Sequence, residues 1–265
     1  MRARLIALIH GLDDALRTDL RNGIPLALKV ALRLARTPRD RFVALTAGLL
    51  YGTRRWNRPI RLDLVFAGVA ATFVVPDFAG FKVLGEVLLY GNYNGEIDPP
   101  PRSVLDLGAN IGASALFFRA RFPDARITCV EASPTVVRTL RANVAGLDVE
   151  VLHAAVAAQP GTITFYESDD TWAGSTSVTS DRPVEVEAVT LDDLLARTGA
   201  DLVKIDVEGA EFDVLPSATR LADAATYMGE IHATPADPRT RAILDRFADA
   251  TTEDCGGVTL FTGRF

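Results

Sequence analysis

The stretch that most constrains this chain is Val104-Leu105-Asp106-Leu107-Gly108-Ala109-Asn110-Ile111-Gly112. Apolar residues run into an acid, and two glycines then flank Ala109-Asn110-Ile111. Glycine adopts backbone angles closed to other residues and lets a ligand approach the main chain. The next run, Ser114-Ala115-Leu116-Phe117-Phe118, has the apolar density of a helix packed on a sheet, and Pro123 stops it. The pattern reads as strand, glycine turn and helix. Such a unit presents free backbone N–H groups and a helix N-terminus to whatever binds there.

The spacing narrows the ligand. The dinucleotide fingerprint is G-x-G-x-x-G, in which the turn cradles a pyrophosphate. Here the pattern is Asp-x-Gly-x-x-x-Gly, with Asn110 near the place of the middle glycine. An acid at the strand end repels a pyrophosphate but can hold an ammonium group. A second strand, Ile127-Thr128-Cys129-Val130-Glu131, also ends in an acid. Glu131 lies 23 residues after Gly108, about where a carboxylate takes a ribose diol. One acid for an amino group and one for a ribose suit S-adenosylmethionine. A nicotinamide-dependent oxidoreductase would share the unit, but this turn lacks its middle glycine. An unrelated α/β domain with a glycine turn is the plainer alternative.

From residue 102 strand and helix signals alternate, which predicts a parallel sheet covered on both faces by helices. Ser133 is placed to cap a helix with Pro134 at its first position. Val149 to Ala155 reads as a third strand. Thr162–Tyr166 and Val184–Val189 alternate in the manner of strands. The polar segment Ser168–Ser177 between them, with Trp172, suits either a cover over a polar substrate or a linker. Thr190 followed by Asp193 predicts another capped helix.

A second chemical stretch, Asp201-Leu202-Val203-Lys204-Ile205-Asp206-Val207-Glu208-Gly209-Ala210-Glu211, is a buried strand followed by acids and a glycine. Ligands of open α/β sheets bind beyond the carboxyl ends of the strands, so Asp206 and Glu208 share a rim with Asp106 and Glu131. Lys204, inside an apolar strand, is expected to pair with an acid. Ala225–His232 is a further strand ending in Glu230 and His232, two residues apart and so on one face. Of the three histidines, His10 lies in the basic N-terminal part and His153 in a strand, which leaves His232 best placed for chemistry. The alternative is a core-edge histidine held by a carboxylate. Arg239–Ala250 is expected as a last helix and Val258–Phe261 as a terminal edge strand.

Composition sets the frame. At 48% apolar and 23% charged residues the chain can bury a sizeable core. Its two cysteines, Cys129 and Cys255, make no disulfide framework and suit a reducing cytosol. No zinc-like cysteine or histidine cluster is present. The net charge of −6 is uneven: residues 1–60 carry 12 Lys/Arg and 4 Asp/Glu, or +8, which leaves −14 on the other 205 residues. Leu5-Ile6-Ala7-Leu8-Ile9 is short for a signal sequence, and no apolar run reaches membrane-span length. Residues 25–36 form an amphipathic helix, with Leu26, Val30 and Leu34 on one side and Lys29, Arg33 and Arg36 on another. Packing on the body or on a second subunit is its ordinary use; an anionic membrane surface or lipid-linked substrate is the sharper one. Arg61–Phe66 and Ala71–Val75 read as a hairpin around Gly68. The segment Gly85–Asn94 leads toward Pro99-Pro100-Pro101 as a surface loop or a cap over the pocket. The organisation expected is therefore a basic helical extension over 1–58, a hairpin and pocket-capping segment over 59–98, and a ligand-binding domain over 99–265.

Together, Asp106-Leu107-Gly108-Ala109-Asn110-Ile111-Gly112, Val130-Glu131-Ala132, Lys204-Ile205-Asp206-Val207-Glu208-Gly209-Ala210-Glu211 and Glu230-Ile231-His232 resemble the FkbM family of S-adenosylmethionine-dependent methyltransferases. The resemblance spans roughly residues 84–265, and the run from Lys204 to Glu211 is its most specific part. It implies a class I methyltransferase (Rossmann-like) fold: a seven-stranded sheet with helices on both faces and an antiparallel last strand. It also implies O-methylation of hydroxyl groups, often on sugars or natural products. Cofactor contacts then fall at Asp106, Gly108, Ala109, Asn110 and Gly112 on the first turn. Glu131, Ala132, Ser133, Ala155 and Asp206 complete them. His232 is the expected general base, with Asp206 or Glu208 serving instead or orienting it. A metal-assisted version would use Asp206, Glu208, Glu230 and His232 on Mg²⁺; the metal-free version is preferred. The expected partner is a small hydroxyl acceptor and not a nucleic acid. Peripheral membrane contact through residues 1–60 and a homodimer remain options. A non-catalytic membrane-associated binding protein is the competing class.

Overall fold

The computed structural model describes residues 26–51, 58–167 and 182–265. The apolar run Leu5–Ile9, His10 and the polar segment Ser168–Ser177 lie outside the described residues. Two helices come first, α1 (Leu26–Arg33) and α2 (Pro38–Tyr51). The hairpin follows as β1 (Ile60–Phe66) and β2 (Val69–Val75). Ala67 and Gly68 turn it at φ +45° and +89°, the two-residue geometry that matches strand twist. Helix α3 (Phe78–Gly85) starts at Asp77, whose carboxylate accepts the Gly80 N–H at 2.8 Å. It runs into a π-helical turn, Glu86–Tyr90, closed by Gly91 at φ +79°.

The α/β body then alternates as the sequence predicts: β3 (Ser103–Leu107), α4 (Ala113–Arg121), β4 (Arg126–Glu131), α5 (Pro134–Val144) and β5 (Val149–His153). Ser133 caps α5, its hydroxyl accepting the Val136 N–H at 3.2 Å. A separate three-stranded sheet comprises β6 (Ala155–Val156), β7 (Gly161–Tyr166) and β8 (Pro183–Val189). The remainder is α6 (Leu191–Thr198), β9 (Leu202–Ile205), α7 (Glu211–Ser217), β10 (Thr226–Ile231), α8 (Pro238–Leu244), β11 (Asp249–Asp254) and β12 (Thr259–Arg264).

The main sheet has seven strands in the order β5–β4–β3–β9–β10–β12–β11. The first five are parallel, and β12 is antiparallel to both neighbours. This is the expected class I methyltransferase sheet. Strand alternation divides two cores. Val104, Ile127, Cys129 and Leu202 face one that includes the hairpin, α1 and α4. Leu105, Leu107, Val130, Val203 and Ile205 face the other, beneath α6 and α7. The hairpin therefore belongs to the same core as the sheet, with Phe66 tilted against Phe117 at 6.0 Å between ring centroids.

Three expectations need correction. The third strand breaks at Ala154, so Ala155 sits in the small sheet, paired with Ala188 rather than continuing β5. The last helix stops at Leu244, and β11 occupies residues assigned to it. Every side chain of β11 is exposed, so it has no hydrophobic alternation to betray it. With β11 outside it, β12 is an interior strand and not an edge.

Candidate active site

The carboxyl ends of β3, β4, β9 and β10 converge, and the glycine turn after β3 is locked to its neighbours there. The N–H groups of Gly108 and Ala109 both donate to the Val130 carbonyl, at 2.9 and 3.1 Å. Gly108 has φ +74°, and a Cβ on it would lie 1.7 Å from the carbonyl oxygen of Asp206. Asn110 tolerates φ +47° because its side chain accepts the Ile111 N–H at 2.7 Å. Gly112, at φ +93°, opens α4 against Leu140 and Val144.

Glu131 ends β4 and holds that turn. Its carboxylate accepts the Asn110 N–H at 3.0 Å and the Ser133 N–H at 2.9 Å. Burial pushes its pKa up, against the pull of those donors. Ser133 gives its hydroxyl to Glu167 at 2.7 Å, and the Ala132 carbonyl lies 3.0 Å from His153 Nε2. Ala155 is buried in the small sheet. Of the residues expected at the cofactor, Gly108, Asn110, Glu131, Ala132 and Asp206 thus retain some exposure, while Ala109, Gly112, Ser133 and Ala155 are buried.

Asp106 has no exposed surface. It accepts the Ser114 hydroxyl at 2.5 Å, and its other oxygen lies 3.1 Å from Lys204 Nζ. The Cys129 thiol approaches it at 3.7 Å. Lys204, also buried, donates to the carbonyls of Gly108 at 2.7 Å and Leu107 at 3.2 Å, and lies 3.6 Å from Asp206. Burial disfavours the charged lysine, but Asp106 and Asp206 outweigh it and hold its pKa above the usual value. The expected pairing of Lys204 is present. Its consequence is that Asp106 supports the turn from behind, where sequence spacing had placed it in direct reach of an ammonium group.

The residues beyond β9 and β10 form the polar hollow. Asp206 is half-buried and accepts the Tyr93 hydroxyl at 3.3 Å. His232 sits between three carboxylates: Nδ1 is 3.0 Å from Glu211, and Nε2 is 3.2 Å from Glu208 and 4.0 Å from Asp206. Glu211 is fully buried and also accepts the His232 and Gly209 backbone N–H groups, at 2.6 and 2.9 Å. Burial disfavours the imidazolium, yet the bonds to Glu208 and Glu211 dominate and raise His232 to about 11. Glu230 is pushed up to about 7 by burial and by the Asp206 charge, although Asn92 donates to it at 3.3 Å. Glu86 is raised by burial and, in opposition to Lys82, by Asp206 and Glu208. Asp206, Glu208 and His232 offer ligand atoms that all lie within 4.8 Å of one another, a set of oxygens and one nitrogen suited to a cation.

Sequence reasoning placed His232, Asp206 and Glu208 here, and the structure brings them together. It assigned no individual roles to Glu86, Asn92 and Tyr93. The available signal was the polar and aromatic Gly-Asn-Tyr-Asn run; the π-helical turn before it, a feature that concentrates at functional sites, is visible only in the structure. Tyr93 is buried, stacked on Phe118 at 6.3 Å, and Arg121 fixes its loop through the carbonyls of Tyr93 and Gly95. An acid-rich, half-buried hollow beside a rigid glycine turn fits a cationic nucleoside cofactor.

Comparison with known proteins agrees. The family model described as Methyltransferase FkbM domain matches residues 106–256. The 2-O-methyltransferase NoeI of Sinorhizobium fredii (strain NBRC 101917 / NGR234) is 28% identical over 182 residues, covering 56% of this chain and 72% of that protein. Methyltransferase 1 of Beauveria bassiana (strain ARSEF 2860) is 29% identical over 146 residues, 44% of this chain and 58% of that protein. Among solved structures, Methyltransferase FkbM from Methylobacillus flagellatus KT is 15% identical with a TM-score of 0.47; the match covers 94% of this chain and 60% of that one. With the family model spanning more than half of its residues, this chain belongs to the FkbM family of S-adenosylmethionine-dependent methyltransferases.

Proposed function

We propose that this chain methylates a hydroxyl group of a sugar, glycolipid or other natural-product acceptor in the hollow beyond β9 and β10. The observation that carries the reading is the convergence of Asp206, Glu208, Glu211 and Glu230 around His232, with Glu86 facing Asp206 and Glu208, at the strand ends where the glycine turn and Glu131 also stand. The similarity to a protein named 2-O-methyltransferase supports oxygen as the acceptor atom. S-adenosylmethionine, when bound, supplies a methyl group activated by a sulfonium. The chain's own part is to hold that cation against the acids, to align the acceptor oxygen with the methyl, and to take the hydroxyl proton. Gly108, Asn110 and Glu131 hold the nucleoside end. Replacing Glu131 by alanine should weaken binding of the demethylated cofactor about 10- to 100-fold by calorimetry, the range expected for hydrogen bonds to a charged group; unchanged affinity would remove Glu131 from the site.

The proton assignment follows from the charges. His232, raised to about 11, is an imidazolium at neutral pH and cannot also be the base in this arrangement. Its Nε2, 3.2 Å from Glu208 and 4.0 Å from Asp206, orients both carboxylates. Glu230, at about 7, changes protonation near neutrality, and we assign it the proton. A base must be deprotonated to act, so turnover should rise with pH through about 7. Glu230→Gln should lower turnover about 100-fold and abolish that limb of the profile; a limb that survives in the variant refutes the assignment. The close grouping of Asp206, Glu208 and His232 favours one second reading, a divalent cation gripping the acceptor. Turnover unchanged after exhaustive EDTA dialysis supports the metal-free route. Turnover lost and restored by Mg²⁺ turns those three residues into ligands.

A further inference from the structure

We infer that the bend between α1 and α2 is a docking surface for an anionic lipid bilayer. Leu32 and Phe42 are 61% and 67% exposed, the two largest exposures among the exposed large hydrophobic side chains. Leu32 lies one residue before the end of α1, and Phe42 lies within about 6 Å of axial rise from the start of α2. Both residues therefore lie near the bend. Arg33, Arg36, Arg39 and Arg41 are exposed between them. The one acid in residues 26–42, Asp40, is 1% exposed; one carboxylate oxygen accepts the Thr37 hydroxyl, the other lies 3.6 Å from the Arg39 guanidinium, and its backbone N–H donates back to the Thr37 hydroxyl, so Arg33, Arg36 and Arg41 supply most of the surface charge.

Much of the helical pair is packed against the protein. Val30, Ala31, Leu34, Ala44 and Ala47 are buried in the core that carries the hairpin, and Lys29 lies over the Tyr90 ring at 4.6 Å. The amphipathic helix thus spends its apolar stripe on packing, as the ordinary reading of the sequence expected. What remains outside is a separate feature: two apolar side chains among four guanidinium groups. Apolar residues that enter the acyl boundary while cations meet lipid phosphates are the mark of a surface that lies on a membrane. The charge division sharpens it. Residues 1–60 carry +8 and the other 205 residues −14, so an anionic surface attracts this end of the chain alone. Among the described residues no helix is long and apolar enough to cross a membrane. A folded polyanion would match the arginines but gives Leu32 and Phe42 nothing to bury them.

The test is sedimentation of the full chain with vesicles of phosphatidylglycerol and phosphatidylcholine, against pure phosphatidylcholine and against heparin. Binding to the anionic vesicles should exceed binding to neutral ones by at least about tenfold and should fall with salt. Each arginine near such a surface strengthens partitioning about fivefold, so Arg33→Glu/Arg36→Glu should weaken it about 25-fold or more. Leu32→Ser/Phe42→Ser should weaken it about tenfold or more. All four positions are exposed, and unchanged affinity for the demethylated cofactor will show that each variant is folded. The inference is overturned if neither vesicle binds, if both double variants sediment like the parent, if the apolar pair has no effect, or if heparin is the sole ligand. None of these outcomes bears on methyl transfer.

Discussion

Gly108→Ala should yield little folded protein, with a loss of about 4 kcal/mol or more where any remains measurable. Two independent effects add at this position. The backbone sits at φ +74°, where an L side chain is strained. The new Cβ would also stand 1.7 Å from the Asp206 carbonyl oxygen, a backbone atom on the neighbouring strand end. Relief requires pulling β3 from β9, which are paired from Val104 to Leu107 at the centre of the site. Gly112→Ala is the informative control. Its φ is +93°, but its Cβ would meet side-chain ends, Val144 Cγ1 at 2.9 Å and Leu140 Cδ1 at 3.0 Å, which can rotate away. A loss of about 1–2 kcal/mol is expected there, set by the backbone alone. Thermal unfolding of both variants reads the difference; equal melting temperatures would show that the β3–β9 approach is softer than its geometry.

Lys204→Met should destabilise the fold by about 3–5 kcal/mol, because it strands a buried carboxylate. Asp106 has no exposed surface and its Oδ1 has no hydrogen-bond donor other than the ammonium 3.1 Å away. Methionine is close in length to lysine, so a cavity contributes little. In a protein of this size the loss corresponds to roughly 10 °C in melting temperature. The double variant Asp106→Asn/Lys204→Met should recover most of it. Both charges then leave the core together, and the asparagine side chain can still accept the Ser114 hydroxyl. The pH dependence has a definite sign. A lysine raised above its ordinary 10.5 contributes fully below that value and loses the contribution only at higher pH, so the deficit should be flat from about pH 6 to 9. A deficit that shrinks within this window would mean that the lysine is not held as a cation.

Much of this was legible in residue order. The buried strands β3, β4 and β9 announce themselves as apolar runs, and Ser133 and Thr190 mark helix starts that the structure keeps. The rim of Glu131, Asp206, Glu208 and His232 was readable because strand-end acids on parallel strands must face one side. Pairing was not readable in full. Nothing in the chain order states that Lys204 lies opposite Asp106, and that register converts an expected ligand contact into an internal ion pair. Nor does an intrinsic pKa show what two flanking carboxylates do to His232; Glu211, three residues beyond Glu208, reaches it through the fold alone. Strand β11 escaped because Asp-Ala-Thr-Thr-Glu-Asp buries nothing and so carries no period.

That same strand has a consequence for how copies of the molecule meet. An outermost strand offers unpaired backbone groups to any passing strand and is a standing invitation to sheet extension. Here the invitation is withdrawn by charge: Asp249, Glu253 and Asp254 all project into solvent along the margin. Two such margins brought side by side would set three anions against three more, so self-association by growth of the sheet is opposed at this end.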